Sequence, residues 1–227
     1  MVCAMQVKSR ERVREHGEVF TAEREVKAMC DLVKNETERI DSTFLEPACG
    51  DGNFLVEILR RKLAVTRKRY ARSGEELAFH SVRALMGLYG VDILADNVSR
   101  CRERLFGTWQ EFSGVEDEPV AAVARFVLEK NILVGNTLSM KRVDERGRDL
   151  DEPIVFSEWK FPKGWLVKRR EFDLSVLLRK NEEHDLFEYL IYCKVLDAES
   201  GHMVLAPRCL RVYPPVEFRY LPEEGAK

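Results

Sequence analysis

Long apolar runs are missing from this chain, and so is any excess of charge of one sign. No stretch approaches the roughly 18 apolar residues that span a bilayer. The first fourteen residues are polar and charged, without the apolar centre of a secretion signal. The chain has six cysteines (Cys3, Cys30, Cys49, Cys101, Cys193, Cys209), and no two form a Cys-x-x-Cys pair. That argues against a zinc site or a redox motif, so the cysteines are read as reduced thiols of a cytoplasmic protein. Lys and Arg total 37 against 39 Asp and Glu, giving a net charge of −2. A protein that grips nucleic acid unaided is usually more basic, and only a local basic patch remains open. No internal repeat and no low-complexity segment beyond charge clusters is present.

What is there fits a soluble domain. The 227 residues are 45% apolar and 33% charged, enough to bury a core. The stretch Phe44-Leu-Glu-Pro-Ala-Cys-Gly-Asp-Gly-Asn-Phe54 organises it. An apolar entry meets Glu46, then a tight turn carrying Gly50 and Gly52. A helical pattern follows at Phe54, Leu55, Ile58, Leu59 and Leu63. Strand, glycine loop and helix in succession bring backbone N–H groups and a helix N-terminus to a ligand.

Around this stretch the other elements fall in order. Residues 1–16 form a basic arm, read as far as Arg14 either as solvated and frayed or as an arm that meets a phosphate backbone or a partner. Thr21 is expected to cap a helix over 22–34, with Phe20 either a hydrophobic staple or an aromatic wall beside the loop. The long helix after the loop is expected to reach Tyr70 or Ala71. A further helix precedes a strand, Leu88 to Leu94, that carries Asp92 at its end. An acid there either caps the next helix or binds ribose hydroxyls. Val120 to Lys130 reads as helix, and Asn131 to Leu138 as a third strand ending in Gly-Asn-Thr. Lys141 to Glu152 is expected to be an exposed charged loop, Pro153 to Trp159 a fourth strand, and Arg170 to Leu178 a short helix. A hairpin is expected around Ala198 to Gly201, its first arm, Leu186 to Val195, being strand or helix. Pro214, Pro215 and Pro222 limit regular structure beyond it.

Alternating strands and helices predict a doubly wound, mainly parallel sheet, with ligands at the carboxyl ends of its strands. Glu46, Gly50, Gly52, Asp92 and Asn136 all fall at such ends. The loop is not a P-loop, since no Gly-Lys-Ser/Thr follows. A nicotinamide-type loop would place a third glycine where Leu55 stands, and Glu46 would repel a pyrophosphate. An acid for a ribose, an acid for an ammonium and bare backbone at the glycines together describe S-adenosylmethionine.

On these residues the chain resembles the adenine-N6 DNA methyltransferases of restriction–modification systems in which the cofactor motifs come first. Phe44 to Phe54 matches their first cofactor motif. Gly17-Glu-Val-Phe-Thr21 resembles the N-terminal one, with Ala22 in place of its usual proline. Tyr89 to Leu94 is similar to the ribose-binding strand end, and Ile132 to Leu138 to the segment that touches the adenine, with Asn136 for aspartate. The resemblance covers roughly residues 14–138. It implies an α/β, Rossmann-like fold of the S-adenosylmethionine-dependent methyltransferase type with a C-terminal β-hairpin. Residues 17–227 would be one domain, with a cofactor half over 17–138 and a divergent half over 139–227. It further implies cofactor contacts from Phe20, Thr21, Glu46, Pro47, Ala48, Gly50, Gly52, Asn53, Phe54, Asp92, Ile93 and Asn136, and no metal.

The family's catalytic signature, Asn/Asp-Pro-Pro-Tyr/Phe after the fourth strand, has no counterpart here. Ser157, Glu158 and Trp159 stand at the equivalent place. They are either an acceptor and a stacking ring for a flipped base or an ordinary alternating strand. No stretch resembles a target-recognition domain either. Three functions remain in view. The first is a DNA adenine methyltransferase, or a subunit of one, that meets DNA with a partner supplying specificity or catalytic elements. The second is a catalytically inactive cofactor-binding or scaffold module of a defence complex. The third is a methyltransferase acting on a non-DNA substrate.

Overall fold

A computed structural model describes residues 9–16, 18–175, 192–196, 203–207 and 209–224. Its centre is a three-stranded parallel sheet in the order β1 (Phe44–Glu46), β2 (Leu88–Asp92), β3 (Ile132–Val134). Phe44 pairs with Leu88, and Asp92 pairs with Val134. Each crossover uses two helices. The first carries α4 (Asn53–Tyr70) and α5 (Gly74–Met86), the second α6 (Ala95–Ser113) and α7 (Glu118–Asn131). Ahead of β1 come α1 (Arg10–His16), α2 (Glu23–Leu32) and α3 (Lys34–Thr37).

The helix boundaries follow local chemistry. Ser73 and Asp117 cap α5 and α7 by accepting the N–H groups of Glu76 and Val120. α6 ends at Gly114, which takes a left-handed conformation. Apolar residues at helical spacing face inward. Leu55, Leu59 and Leu63 of α4, Leu105 and Trp109 of α6, and Val123 and Val127 of α7 are fully buried with Leu88 of β2. Thr21, in contrast, is not a cap. Ala22 occupies that position and supplies no side-chain hydrogen bond.

The second half departs from the expected parallel pattern. The strand expected over Pro153 to Trp159 divides into β5 (Asp149–Pro153) and β6 (Val155–Lys160). β6 runs antiparallel to β7 (Leu166–Asp173), with pairs from Val155↔Asp173 to Lys160↔Lys168. The connection from Phe161 to Trp165 is too short for a parallel crossover, which takes about a dozen residues or more. So β6 does not extend the parallel sheet, and the helix expected from Arg170 is strand as far as Asp173. The charged run over 141–152 is also not a loop. β4 (Lys141–Val143) pairs antiparallel with β5, and opposite charges face each other as Lys141–Asp151 and Arg142–Glu152.

β6 packs back on the parallel sheet through side chains. Phe156 meets Tyr89 edge to face at 5.2 Å, and the Tyr89 hydroxyl donates to the Ser157 carbonyl at 2.7 Å. Trp159 Nε1 donates to Asn131 Oδ1 at 3.0 Å, and Asn131 Nδ2 donates to the Leu88 carbonyl at 3.0 Å. One buried amide thereby joins α7, β2 and β6.

β8 (Tyr192–Leu196) and β9 (Met203–Pro207) form an antiparallel pair, as the expected hairpin requires. The remainder of that hairpin, including Leu186 to Ile191 and Ala198 to Gly201, lies outside the described residues. β10 (Arg211–Val212) and β11 (Val216–Glu217) both pair with β7 on either side of Pro214-Pro215, and a 3-10 turn, Phe218–Glu223, follows. Buried Arg169 of β7 holds this tail through Glu224 and stacks on Tyr213, with 3.7 Å to the ring centre. Among the described residues no helix is long and apolar enough to cross a membrane.

Candidate functional site

The carboxyl ends of β1, β2 and β3 open onto one cleft of about 750 Å³, a volume usual for small-molecule sites. At the end of β1 the chain turns through Pro47 to Gly52. Gly50 and Gly52 have φ of +52° and +92°, the left-handed region that favours glycine. A Cβ on Gly52 would also lie 2.7 Å from the Cys101 sulfur, so α6 packs directly under the turn. The Phe20 ring stands over Gly50, 3.1 Å from where a Cβ would be.

Asp92, at the end of β2, shapes this turn. Its Oδ2 accepts the Gly50 N–H at 2.9 Å, while Oδ1 accepts the Leu94 N–H at 2.9 Å and Asn97 Nδ2 at 3.2 Å. Three of the roughly four acceptor positions of the carboxylate are thus taken within the chain. A ribose would meet an acid already oriented, with one position open.

The third strand contributes the opposite wall. Thr137 Oγ1 donates to the Pro47 carbonyl at 2.7 Å, and the Gly135 N–H to the Asp92 carbonyl at 3.0 Å. Asn136 Oδ1 accepts the Leu138 N–H at 3.0 Å, and its Nδ2 donates to Asp149 of β5 at 3.1 Å. Gly147, in the β4–β5 turn, lies beside Ile93. The β4–β5 hairpin therefore flanks the cleft.

The segment before α2 closes the remaining side. Asn53 Nδ2, at the start of α4, donates to the Thr21 carbonyl at 3.1 Å. Glu18 accepts from Asn97 Nδ2 at 2.7 Å and from Arg12 Nη2 at 2.9 Å. Arg12 also pairs with Asp96 at 2.7 Å, and these carboxylates keep its guanidinium protonated. The arm is thus helical from Arg10 and docked against α6, which corrects its reading as frayed. Residues 1–8 lie outside the described residues.

Of the sequence-predicted contacts, Phe20, Thr21, Glu46, Pro47, Ala48, Gly50, Asn53, Phe54, Asp92, Ile93 and Asn136 all line this cleft. Gly52 does not; it is buried at the N-cap of α4. Ser157, Glu158 and Trp159 do not line it either. Ser157 is buried and its hydroxyl accepts from Arg169, Glu158 pairs with Arg170 and Lys160, and Trp159 is 7% exposed against Asn131. Their observed partners are structural. Sequence reasoning missed Glu18 and Asn97. Glu18 lay within the quoted Gly17-to-Thr21 stretch. Asn97 gave no signal beyond opening a helix.

The lining has four carboxylates, Glu18, Glu46, Asp51 and Asp92, and no Lys or Arg. Glu18 pairs with Arg12 and Asp51 with Arg104, both cations standing outside the lining. Glu46 and Asp92 have no ion pair among the described residues. Burial raises the Glu46 carboxyl above its ordinary range, against a weak opposing contact from the Ala48 N–H. Cys49, beneath the loop, is held as a thiol by its contact with Cys101 and by burial. Among the described residues no group of three or more His, Cys, Asp or Glu is arranged to hold a metal.

The cleft can therefore hold a ligand with an apolar portion against lining residues such as Phe20, Phe54 and Ile93 and a cationic group near Glu46. Its acidity disfavours phosphates. Compared with known proteins, the chain matches no family model, no curated protein and no solved structure.

Proposed function

We propose that this chain binds S-adenosylmethionine in the cleft at the ends of β1, β2 and β3, as a methyltransferase-like domain. The observation that carries the reading is the charge of the cleft. Its lining is acidic and free of Lys and Arg, and the half-buried Glu46 lacks a cation. A nucleoside bearing a sulfonium and an ammonium satisfies Glu46 and leaves its ribose to Asp92, whereas a nucleotide or dinucleotide brings negative charge to Glu46 and Asp92, the two lining carboxylates without an ion pair among the described residues. Ile93 and Phe20 supply apolar surface for the purine. Asn136 Oδ1 keeps one lone pair for an exocyclic amine beside its bond to Leu138.

The resemblance to adenine-N6 DNA methyltransferases supports the finer reading, a cofactor-holding subunit of a restriction–modification or defence system. Ser157, Glu158 and Trp159 stand outside the cleft in structural contacts, which favours a chain that holds the methyl donor while another supplies the target-base contacts. Isothermal titration with S-adenosylmethionine, S-adenosylhomocysteine, ATP and NAD tests the first claim. Binding of the first two and not of the last two is expected; heat from neither adenosyl ligand would sink it. A labelled-methyl assay on unmethylated duplex DNA tests the second. Little transfer is expected from this chain alone, and label on adenine would overturn the reading of a partner-dependent subunit.

A further inference from the structure

Asp92 shares its amide partner with a second acid. Asn97, buried in the first turn of α6, gives its side-chain nitrogen to two carboxylates, Asp92 Oδ1 at 3.2 Å and Glu18 Oε1 at 2.7 Å. Both acids line the cleft, so two like charges are held one amide apart.

Arg12 of α1 offsets that charge from outside the lining. Its Nε lies 2.7 Å from Glu18 Oε2, and its Nη2 donates to Glu18 Oε1 at 2.9 Å and to Asn97 Oδ1 at 3.3 Å. Nη1 and Nη2 also hold Asp96, the neighbour of Asn97, at 2.7 and 3.1 Å. Glu18 has no other ion pair among the described residues; its side chain is 7% exposed and its Oε2 is buried. Glu18 is thus turned to Arg12, while Asp92 keeps an acceptor position for a ligand. Without the guanidinium, Glu18 becomes a nearly buried carboxylate lacking a cation, which is costly. Asn97 Oδ1 loses its donor at the same time. The amide that fixes Asp92 from α6 is then pulled by an unmatched charge and no longer held from the arm.

We infer that Arg12 is a positioning residue for the ribose: through Glu18 and Asn97 the arm helix α1 sets the Asp92 carboxylate that meets the ribose hydroxyls. The inference rests on the proposed use of the cleft. It makes docking of the arm and recognition of the ribose one coupled event, although Arg12 touches no ligand.

The test compares S-adenosylhomocysteine with its 2′,3′-dideoxy analogue, which lacks only the ribose hydroxyls. Equilibrium binding to the whole chain is measured for the natural protein, R12Q and R12K, with urea unfolding to confirm that each variant folds. The natural protein is expected to prefer S-adenosylhomocysteine by about tenfold or more, the range of one charge-assisted hydrogen bond. R12Q is expected to remove most of that preference while changing affinity for the dideoxy analogue by less than about twofold. R12K, which keeps the charge and loses the fork, retains part of it. Coupling is reciprocal, so the hydroxyls must also tighten the arm. In the natural protein at saturation, amide exchange over Arg10–His16 is expected to slow more with S-adenosylhomocysteine than with the dideoxy analogue. Equal slowing by the two ligands overturns the inference whether or not R12Q folds. An R12Q variant that keeps the natural preference, or that weakens both ligands equally, also overturns it and leaves the cleft reading intact. Failure of the natural protein to bind S-adenosylhomocysteine rejects the cleft reading, and the inference with it.

Discussion

The Asp92 carboxylate accepts the backbone N–H of Gly50 at 2.9 Å, across 42 positions of sequence. The residue expected to hold a ribose also holds the glycine loop. The same carboxylate binds the Leu94 N–H and Asn97, so it sets the start of α6 as well. Substituting it disturbs the site before any ligand arrives. D92A is expected to lower unfolding free energy by about 2 kcal/mol, since buried N–H groups lose a charged acceptor. It is also expected to abolish measurable S-adenosylmethionine binding. Urea unfolding together with titration checks both, and an unchanged affinity would remove Asp92 from the site.

Gly52 is fixed by two independent constraints. Its φ of +92° disfavours any side chain, and a Cβ would lie 2.7 Å from the Cys101 sulfur. G52A is expected to destabilise by about 2–4 kcal/mol, combining backbone strain with overpacking. The double variant G52A/C101A should recover the overpacking part relative to C101A alone, leaving the backbone part. Purely additive effects in that cycle would show that Cys101 is not what the new methyl meets.

Glu46 should report ligand charge through protons. Burial raises its carboxyl in the free protein, and a bound cation lowers it, so binding releases a proton at pH values near the free carboxyl's range. Affinity for S-adenosylmethionine is therefore expected to rise with pH through that range and then level off. E46Q is expected to weaken binding about tenfold and to flatten the profile. Titrations in buffers of different ionisation heat measure the proton directly, and proton uptake would contradict the placement of the cation.

Lys62 predicts an unusual pH dependence of stability. It is fully buried in α4, and its ammonium donates to the carbonyls of Ile40 and Ser42 just ahead of β1. Burial lowers its pKa to about 8. An unfolded lysine titrates near 10.4, so between about pH 8 and 10.4 the unfolded chain binds more protons than the folded one. Stability contributed by this group therefore rises with pH across that window. The difference between the natural protein and K62M should grow by about 2–3 kcal/mol from pH 7.5 to 10.5, read by urea unfolding. A difference that stays flat would place the amine in water.

Trp159 is expected to matter for folding and not for ligand. W159F removes the donor to buried Asn131 Oδ1 and should cost about 1–3 kcal/mol in unfolding free energy. Affinity for S-adenosylmethionine should stay within about twofold. Lost affinity in a stably folded W159F would bring β6 back to the site.

Much of the first half was legible because its signals are local. Apolar spacing from Phe54 to Leu63 placed α4, and the glycines marked the turn that only a left-handed backbone completes. The second half misled for equally local reasons. Lys141 to Glu152 looked like an exposed charged loop, yet opposite charges across β4 and β5 make a hairpin of it. β6 has the alternation of a strand, and alternation does not say which sheet a strand joins. The short Phe161–Trp165 connection carried that information.

Sequence alone determined the glycine turn, the helix that follows it and the strand-end positions of Glu46, Asp92 and Asn136, because each depends on neighbours within a few residues. Only the tertiary structure decided what those side chains meet. The bonds from Asp92 to Gly50, from Thr137 to Pro47 and from Asn53 to Thr21 each join segments more than thirty residues apart. So does the ion pair between Arg104 and Asp51. Hydrogen bonds and ion pairs act over a few ångströms, and which groups come that close is set by packing of the whole chain around its buried helices.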